Sequence, residues 1–313
     1  MKISPNITVR EVREFDLQRR VVAHVTSSSW RSVPHVTYLY EPDLTEFYAA
    51  FKALAAEHGG RDPHARRITF NTILIKALVE GLIAAPMLNS LLDYHSETGQ
   101  GRLLICEDVN VALPWLLRDG RMITPIIAKA NKMSLRALSD AVATLASRIE
   151  QTNIDELLLE AAAAGTRDQL RSRPFSVLRQ ILAEATSKNR TPRLRGEARQ
   201  RYYGLPAGSR LTKDDLMDAT VTISNIGSLY REQRGFFGLL EVIPPQSLAI
   251  GVGAVQDKPG IYTDPKGVQQ IGIRKVVPLC LAFDHRAFDF DALVPFLRRM
   301  DQVFASPDQI FSW

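Results

Sequence analysis

Two apolar runs constrain the fold of this 313-residue chain more than any other feature of its sequence. Residues 247–254, SLAIGVGA, and residues 276–283, VVPLCLAF, are apolar at almost every position and do not alternate with polar residues. A strand that is apolar on both faces is typical of the interior of a sheet. The chain is therefore predicted to fold around a sheet with a buried centre.

Segments with helical periodicity supply the layers that such a sheet needs. Residues 43–58 begin with Asp43 and Glu46 at capping-box spacing, and residues 69–86 are apolar almost all round, as in a buried helix. Two further helices are predicted at 135–149 and 293–303, and shorter β-rich runs lie at 36–40, 109–113, 122–127 and 220–224. This mixture predicts an α/β or α+β architecture built round one mixed sheet.

Composition and charge narrow the setting in which such a chain works. It has 45% hydrophobic and 23% charged residues, no apolar run of the ~20 residues that span a bilayer, and no hydrophobic segment near residue 1. A cytoplasmic protein is expected. The net charge of +5 favours an anionic partner, such as a nucleotide-bearing coenzyme, an acidic carrier protein or a lipid surface, and nothing indicates nucleic acid. Cys106 and Cys280 are predicted to be small buried fillers without a disulfide.

Residues 152–210 differ from the rest of the chain. From Arg167 to Arg201 there are ten basic and three acidic residues, a local net charge of +7 that exceeds the charge of the whole chain. The helical patterns at 154–164 and 175–182 predict a basic, largely helical insertion within a single domain of residues 1–313. Two interpretations stay open: a solvated insertion that packs its apolar side on the core, or a surface at 167–201 that docks onto an acidic partner or a membrane.

Histidine is the residue type most suited to acid–base chemistry near neutral pH. The chain has six histidines, and none is spaced with a second metal ligand on one helical face, so no metal site is predicted: His24, His35, His58, His64, His95 and His285. His285 alone follows a fully apolar strand and precedes a helix, a position where sites form in α/β sheets. Spacing alone leaves a catalytic and a structural role for His285 equally open.

The residues around His285 resemble a known motif. DHRAFDF, residues 284–290, is similar to the Asp-His-Arg-x-x-Asp-Gly motif of the dihydrolipoamide acyltransferases, the cores of 2-oxo acid dehydrogenase complexes, which share a fold with chloramphenicol acetyltransferase. Five more segments resemble this family in order along the chain: VPHVTYLYEPDLTEF (33–47), residues 68–93, residues 109–139, ATVTISNIGS (219–228) and IPPQSLAIGVG (243–253). The resemblance implies a two-layer α+β sandwich, a chloramphenicol acetyltransferase-like mixed sheet with helices on one face.

The resemblance also implies roles for individual residues. Acyl transfer between thiols needs a base, because a thiol with a pKa of about 8.5 is mostly protonated at pH 7, and His285 matches the family's base. Ser224 matches the residue that stabilises the oxyanion, and Asp289 the motif's second aspartate, which fixes local geometry. Arg286 is expected to be structural. Without the resemblance, Ser224 would be taken as a hydrogen-bonding group at a strand end and Asp289 as a helix cap.

The resemblance predicts an assembly and a reaction. Family members are homotrimers in which the serine of one subunit meets the histidine of its neighbour, and the tail PDQIFSW resembles those that join trimers, although it could instead pack on its own subunit. The reaction expected is transfer of an acyl group between coenzyme A and a thiol or similar acceptor. The alternatives are dihydrolipoyl acyltransfer as a detached core, and a noncatalytic trimeric scaffold.

Several positions depart from the family pattern. Phe290 replaces the motif's glycine, LYREQRGFFG at 229–238 replaces a Gly-Gly-Thr sequence, and no Asp-Lys-Ala-type lipoyl attachment site occurs. The acceptor is therefore expected to come from another chain, as an acidic carrier protein or a lipoyl domain in trans.

Overall fold

A six-stranded mixed sheet forms the centre of the computed structural model, which describes residues 4, 6–59, 68–161, 193–206 and 208–313. Its helices are α1 (Leu17–Ser32), α2 (Thr45–Gly59), α3 (Phe70–Ala84), α4 (Leu135–Glu150), α5 (154–161), α6 (Gly196–Tyr203) and α7 (Val294–Ala305). Its strands are β1 (His35–Tyr40), β2 (Ser90–His95), β3 (Gln100–Ile105), β4 (Val111–Ala112), β5 (Trp115–Leu116), β6 (Met122–Ile123), β7 (Ile126–Ile127), β8 (Val221–Asn225), β9 (Leu248–Val252), β10 (Gln256–Thr263), β11 (Gln269–Val276) and β12 (Leu279–Asp284).

The central sheet has the strand order β1-β12-β9-β8-β4-β7. Strand β8 is parallel to both of its neighbours, β9 and β4. Strand β12 is antiparallel to both of its neighbours, β1 and β9. Three antiparallel pairs lie outside it: β2 with β3, β5 with β6, and β10 with β11. The predicted mixed sheet is confirmed, and β9 and β12 are buried at every position, as their apolar sequences predict.

The two faces of the sheet carry side chains of different size. On one face of β9 and β12, large residues such as Leu248, Ile250 and Phe283 join the main hydrophobic core. The other face carries small residues, and Ala249 and Ala282 form a separate cluster there with residues of the flanking loops. Because side chains alternate along a strand, this division follows directly from the order of large and small residues in the two runs.

Helices α2, α3, α4 and α7 pack over the face with large side chains. Helix α3 is buried along most of its length, as predicted, and begins at Thr69, whose hydroxyl accepts the N–H of Thr72 at 3.1 Å. Helices α4 and α7 bury the faces predicted from their periodicity. Helix α2 begins at Thr45, and Asp43 does not form the expected capping box. Its carboxylate accepts the Thr45 N–H in a turn just before the helix.

Proline interrupts two segments that read as single strands. The run at 122–127 is split into β6 and β7 at Pro125, and the run at 276–283 is split between the end of β11 and the start of β12 at Pro278. Proline has no N–H to donate to a ladder, so neither strand can continue through it. The carbonyl of Pro278 still accepts a hydrogen bond, from the N–H of Gly253 at 2.9 Å.

The predicted insertion lies only partly among the described residues. Residues 162–192, which include most of the basic stretch 167–201 and the pattern at 175–182, lie outside them. On its two sides, α5 buries Leu157 in the main core, and α6 is anchored through Tyr202, whose ring contacts the guanidinium of Arg210 at 4.6 Å. The insertion as a unit therefore stays a prediction.

The carboxyl-terminal tail packs on its own subunit. Residues Pro307–Ser312 form a 3-10 turn in which Ile310 is buried, and the Trp313 ring lies 6.4 Å from that of Phe47. The Leu135 N–H, at the start of α4, also donates to the Trp313 carbonyl at 3.2 Å. These contacts all lie within one chain, and the joining of trimers by this tail stays a prediction. Within the described ranges, none of the helices has both the length and the apolar character needed to cross a membrane.

Candidate active site

His285 directly follows β12, and its backbone is fixed on both sides. The N–H of Asp284 donates to the Ser247 carbonyl, and the N–H of His285 donates to the Pro34 carbonyl, both at 3.0 Å. The imidazole packs edge-on against Phe283, with ring centroids 6.0 Å apart, while 48% of the His285 side chain remains exposed. The ring is therefore held by the sheet and still open to a reactant.

The contacts of His285 determine which ring nitrogen carries the proton. Its Nδ1 lies 3.3 Å from the carbonyl oxygen of Phe288 and 3.3 Å from Oδ1 of Asp289. Both oxygens accept hydrogen bonds, so the neutral ring is stabilised with its proton on Nδ1. Nε2 then presents its lone pair, which is the arrangement that a general base requires. Asp289 is 81% exposed, so its pairing with His285 orients the ring more than it stabilises the fold.

Asp284 and Arg286 form a structural pair beside His285. Asp284 is almost fully buried, and the Arg286 guanidinium donates to its two oxygens at 2.9 and 2.6 Å. The hydrogen bonds to Asp284 raise the pKa of Arg286, so the guanidinium stays charged. Arg286 also lies over the Tyr94 ring at 5.1 Å. Both residues of the pair are engaged with each other, which fits the structural role expected for Arg286.

Phe290 extends from the same turn. It begins the 3-10 helix Phe290–Leu293, does not have the positive φ for which glycine would be needed, and packs its exposed ring edge-on against Tyr38 at 5.0 Å. Asp289 precedes this helix, but its side chain makes no capping hydrogen bond. The Phe290 ring therefore packs on Tyr38, and it is not among the groups that contact the His285 ring.

Ser224 lies near the end of β8, at a cavity of about 300 Å³. This cavity is open to solvent on one side. Ser224 lines it together with apolar side chains, which include Leu113, Trp115, Leu116, Met122, Ile226 and Leu229. Two of the segments that line it are β5 and β6, which pair with each other. The sequence did not predict the cavity, because its walls come from segments that are far apart in the chain and meet only through tertiary packing.

The polar groups of the cavity differ in how they are used. The amide of Asn225 donates to Oδ1 of Asn71 at 2.7 Å and accepts the N–H of Ser228 at 3.2 Å. The Ser228 hydroxyl donates to the carbonyl of Asn225 at 2.9 Å. The Ser224 hydroxyl, in contrast, makes no hydrogen bond to any part of the chain that the structure describes. It is therefore available to a bound molecule, and the strand-end hydrogen bond considered from sequence does not form.

Gly251 is the register partner of Ser224 on β9, and the ring of Phe237 covers it. A Cβ atom at position 251 would lie 1.9 Å from Cε2 of Phe237. The loop that carries Phe237 is tied to the sheet, since Gln233 Oε1 accepts the Ala254 N–H at 2.7 Å and Gln256 Nε2 donates to the Gly235 carbonyl at 2.7 Å. The divergent segment 229–238 thus reaches the sheet beside Ser224.

Within one chain, the sheet register places Ser224 and His285 far apart. Ser224 pairs with Gly251, and Gly251 pairs with Cys280 on β12, two strand spacings or ~10 Å away. His285 lies five residues beyond Cys280, which adds ~17 Å along the strand. A separation of ~20 Å follows. One chain does not bring the two predicted catalytic residues together, whereas it does bring Asp289 to His285.

Two other histidines, His35 and His95, have structural or surface positions. His35 accepts the N–H of Val242 on its Nε2 at 3.0 Å and stacks on Trp30, so it holds a loop in place. His95 is exposed in the β2–β3 hairpin, 3.6 Å from Asp93. His64 lies outside the described residues, as does the side chain of His58. In the described part of the chain, no three His, Cys, Asp or Glu side chains are grouped to hold a metal ion.

The two cysteines are free thiols. Cys280 is buried in β12, as predicted, and burial raises the pKa of its thiol to about 11. The prediction for Cys106 was wrong, because this residue is only partly buried at the end of β3, although partial burial still raises its pKa. Both thiols are therefore protonated near neutral pH and are poor nucleophiles.

Comparison with known proteins gives a match over most of the chain. The sequence model of the 2-oxoacid dehydrogenases acyltransferase (catalytic domain) matches residues 9–158 and 197–312. A curated relative, the dihydrolipoyllysine-residue acetyltransferase component of the pyruvate dehydrogenase complex of Mycobacterium tuberculosis (strain CDC 1551 / Oshkosh), is 24% identical over 274 residues. The match covers 87% of this chain and 37% of the relative, so the chain spans well under half the length of that protein.

Solved structures with the same fold include two acetyltransferases. A probable dihydrolipoamide acetyltransferase from Listeria monocytogenes 4b F2365 aligns with a TM-score of 0.63 at 18% identity, covering 96% of this chain and 95% of the other. The dihydrolipoamide acetyltransferase of Azotobacter vinelandii aligns with a TM-score of 0.61 at 23% identity, covering 99% and 100%. At these identities the likeness establishes the fold.

Proposed function

The chain belongs to the family of 2-oxoacid dehydrogenase acyltransferase catalytic domains, and from that premise we propose that it transfers an acyl group between coenzyme A and a thiol or similar acceptor. The observation that carries this proposal is the hydrogen bonding of the His285 ring. Two acceptors hold its Nδ1, so Nε2 is free to take a proton from a thiol. An imidazole poised in this way, in the family's motif, is a general base.

The site residues of a solved relative support the same assignment. The Azotobacter vinelandii acetyltransferase was investigated for the roles of a serine, a histidine and an asparagine in its catalytic mechanism, and that asparagine lies four residues after the histidine. In this chain Asp289 lies four residues after His285 and contacts its ring at 3.3 Å. We assign the corresponding roles to Ser224, His285 and Asp289.

The proposed reaction proceeds through a tetrahedral intermediate. Nε2 of His285 removes the proton of the acceptor thiol, and the resulting sulfur attacks the carbonyl carbon of the acyl thioester. The negative charge that develops on the carbonyl oxygen is stabilised by the hydroxyl of Ser224, which has no hydrogen-bond partner to give up among the described residues. Collapse of the intermediate expels the thiolate of coenzyme A, which recovers the proton from His285. Asp289 and the Phe288 carbonyl stabilise the imidazolium while it carries that proton.

The proposal requires more than one copy of the chain. A separation of ~20 Å between Ser224 and His285 is too long for one thioester carbonyl to meet both. We therefore propose a homotrimer in which the Ser224 of one subunit faces the His285 of another across each interface. A closed cyclic assembly supplies every site with both residues.

The acceptor is proposed to be a thiol carried by another protein. An acidic carrier protein or a lipoyl domain in trans fits the net charge of +5. The docking of the basic stretch 167–201 onto an anionic surface remains a prediction from sequence. Dihydrolipoyl acyltransfer is the second candidate, favoured by the relative from a pyruvate dehydrogenase complex. A noncatalytic scaffold has no use for an oriented imidazole beside a half-buried serine hydroxyl that has no hydrogen-bond partner among the described residues.

Transfer assays with substituted proteins test the proposal. Acyl-coenzyme A thioesters are offered with dihydrolipoamide, a lipoyl domain and a carrier protein in parallel, and free coenzyme A is measured. His285→Ala is expected to lower the rate ~10²–10⁴-fold and Ser224→Ala ~10²–10³-fold. His95→Ala, an exposed histidine in a hairpin, is the matched control and should leave the rate unchanged. Equal rates for folded His285→Ala and His95→Ala proteins would contradict the mechanism, and a much faster lipoyl domain would favour the second candidate.

A further inference from the structure

The cavity beside Ser224 is lined by side chains from three separate segments of the chain, which meet only in the folded protein. From its size and lining we infer the class of acyl group that is transferred, an inference that rests on the function proposed above. We propose that the cavity binds the acyl chain, and that this chain is apolar and of medium length or ring-bearing, larger than an acetyl group.

The volume of the cavity argues against a small acyl group. It measures about 300 Å³. An apolar protein cavity of ~150 Å³ is large enough to bind benzene. An acetyl group adds one methyl to the thioester carbonyl and would leave most of the space beside Ser224 empty. A chain of several methylenes, or a ring, fills it and buries apolar surface on both partners.

The shape of the cavity comes from apolar side chains around the reactive end. Trp115 and Leu116 lie on β5, Met122 on β6 and Leu229 on the segment that follows β8. Because Leu116 and Met122 are register partners, their side chains stand next to each other on one face of the β5–β6 pair. An acyl carbon chain that starts at the Ser224 hydroxyl therefore runs along a continuous apolar wall.

The polar groups of the cavity identify the part of the substrate that it accepts. A pantetheine arm carries two amides, and amides buried without partners are costly. Asn225 is engaged with Asn71 and Ser228 on both ends of its side-chain amide, and the Ser228 hydroxyl is also bonded. Ser224 keeps a free hydroxyl at the point where a thioester carbonyl is needed. Asn71 also lines the cavity; its Oδ1 accepts from Asn225, and its amide nitrogen has no acceptor among the described residues. This distribution suits one carbonyl at the Ser224 end of the cavity, followed by a hydrocarbon.

The experiment compares acyl chains at a fixed acceptor, free dihydrolipoamide. Acetyl-, butanoyl-, hexanoyl- and phenylacetyl-coenzyme A are assayed for kcat/KM with the wild-type protein and two variants. Leu116→Trp narrows the cavity, and Leu104→Trp is its control. Leu116 and Leu104 are both strand residues of two-stranded pairs and are 44% and 45% exposed, but Leu104 does not line the cavity.

The expected result is a rise of about fourfold in kcat/KM for each added methylene, the contribution of one buried CH₂, so hexanoyl exceeds acetyl by about 100-fold or more. Leu116→Trp should lower the hexanoyl value at least about tenfold and leave the acetyl value within about twofold. Leu104→Trp should leave the whole series unchanged.

Three results would overturn the inference while leaving the proposed function standing. The first is a higher kcat/KM of the wild-type protein for acetyl- than for hexanoyl-coenzyme A. The second is a loss of kcat/KM in Leu116→Trp that is equal for all chain lengths, which would place the thiol arm in the cavity. The third is an equal effect of Leu116→Trp and Leu104→Trp on kcat/KM. If no thioester is transferred, the proposed function fails. Calorimetric binding of hexanoyl- and acetyl-coenzyme A then decides the inference, and equal affinities would refute it.

Discussion

Mixing two inactive variants tests whether the active site is shared between subunits. In His285→Ala protein every subunit keeps Ser224, and in Ser224→Ala protein every subunit keeps His285. The register of β8, β9 and β12 separates these residues by ~20 Å within one chain, so neither variant can be rescued inside a subunit. In mixed oligomers, however, a subunit with an intact histidine can lie beside one with an intact serine.

The magnitude of the rescue follows from counting. In an oligomer assembled at random from equal amounts of the two variants, each site has a probability of one half of receiving an intact histidine and one half of receiving an intact serine. About one quarter of the sites are then complete. The matched control mixes wild-type protein with the His285→Ala/Ser224→Ala double variant. A shared site again gives about one quarter of wild-type activity, whereas a site within one chain gives about one half.

The assay is acyl transfer from a coenzyme A thioester after co-refolding, with native mass spectrometry to verify that mixed oligomers have formed. The separate variants should retain no more than about 1% of wild-type activity. If verified mixed oligomers of the two single variants stay at that level, and the control mixture gives one half, the site lies within one chain. The shared-interface proposal would then be wrong.

Two further predictions concern other parts of the molecule. Burial by itself would raise the pKa of Asp215, but hydrogen bonds from Arg148 and Thr212 bring it below its usual range. Asp215→Asn should therefore lower the free energy of unfolding by ~1–3 kcal/mol at pH 7, and in urea titrations the difference from wild type should shrink as the pH falls below about 5 and vanish below the lowered pKa. A difference that does not shrink as the pH falls below about 5 would contradict this. At pH 8, iodoacetamide should modify Cys106 in the folded protein but Cys280 only after unfolding, because burial raises the pKa of Cys280 to about 11. Peptide mass spectrometry distinguishes the two cysteines, and equal labelling of both in the folded protein would refute the prediction.

The sequence predicted the elements whose pattern arises from burial. Helix α3 and strands β9 and β12 are buried on all sides, so their apolar composition was sufficient. Helix α1 was not predicted, since only Ser29 of its residues is buried and its sequence therefore has no apolar stripe. The β10–β11 hairpin was missed for a related reason: its outer face exposes isoleucines, including Ile271 and Ile273, and the expected alternation of apolar and polar residues is obscured.

Some residues of the candidate site could also be predicted from the sequence, and others could not. Asp289 and His285 lie in one turn, so the motif that contains them also predicts their contact. Ser224 was identified by resemblance, but its distance from His285 depends on the strand order of the folded sheet, which the sequence did not specify. The cavity was not predictable, because Trp115, Met122 and Leu229 meet only through tertiary packing. Adjacent residues could be found from sequence, and assembled surfaces could not.

The contact between Phe237 and Gly251 links the evolution of two positions that are far apart in the sequence. A Cβ at position 251 would overlap the Phe237 ring, with 1.9 Å between the two carbons, so a larger residue at 251 is acceptable only when the residue at 237 becomes smaller or its loop moves. Among homologues that share this loop, the two positions should covary. Because Gly251 is the neighbour of Ser224 in the sheet, such paired changes would show where homologues have altered the wall beside the proposed oxyanion donor.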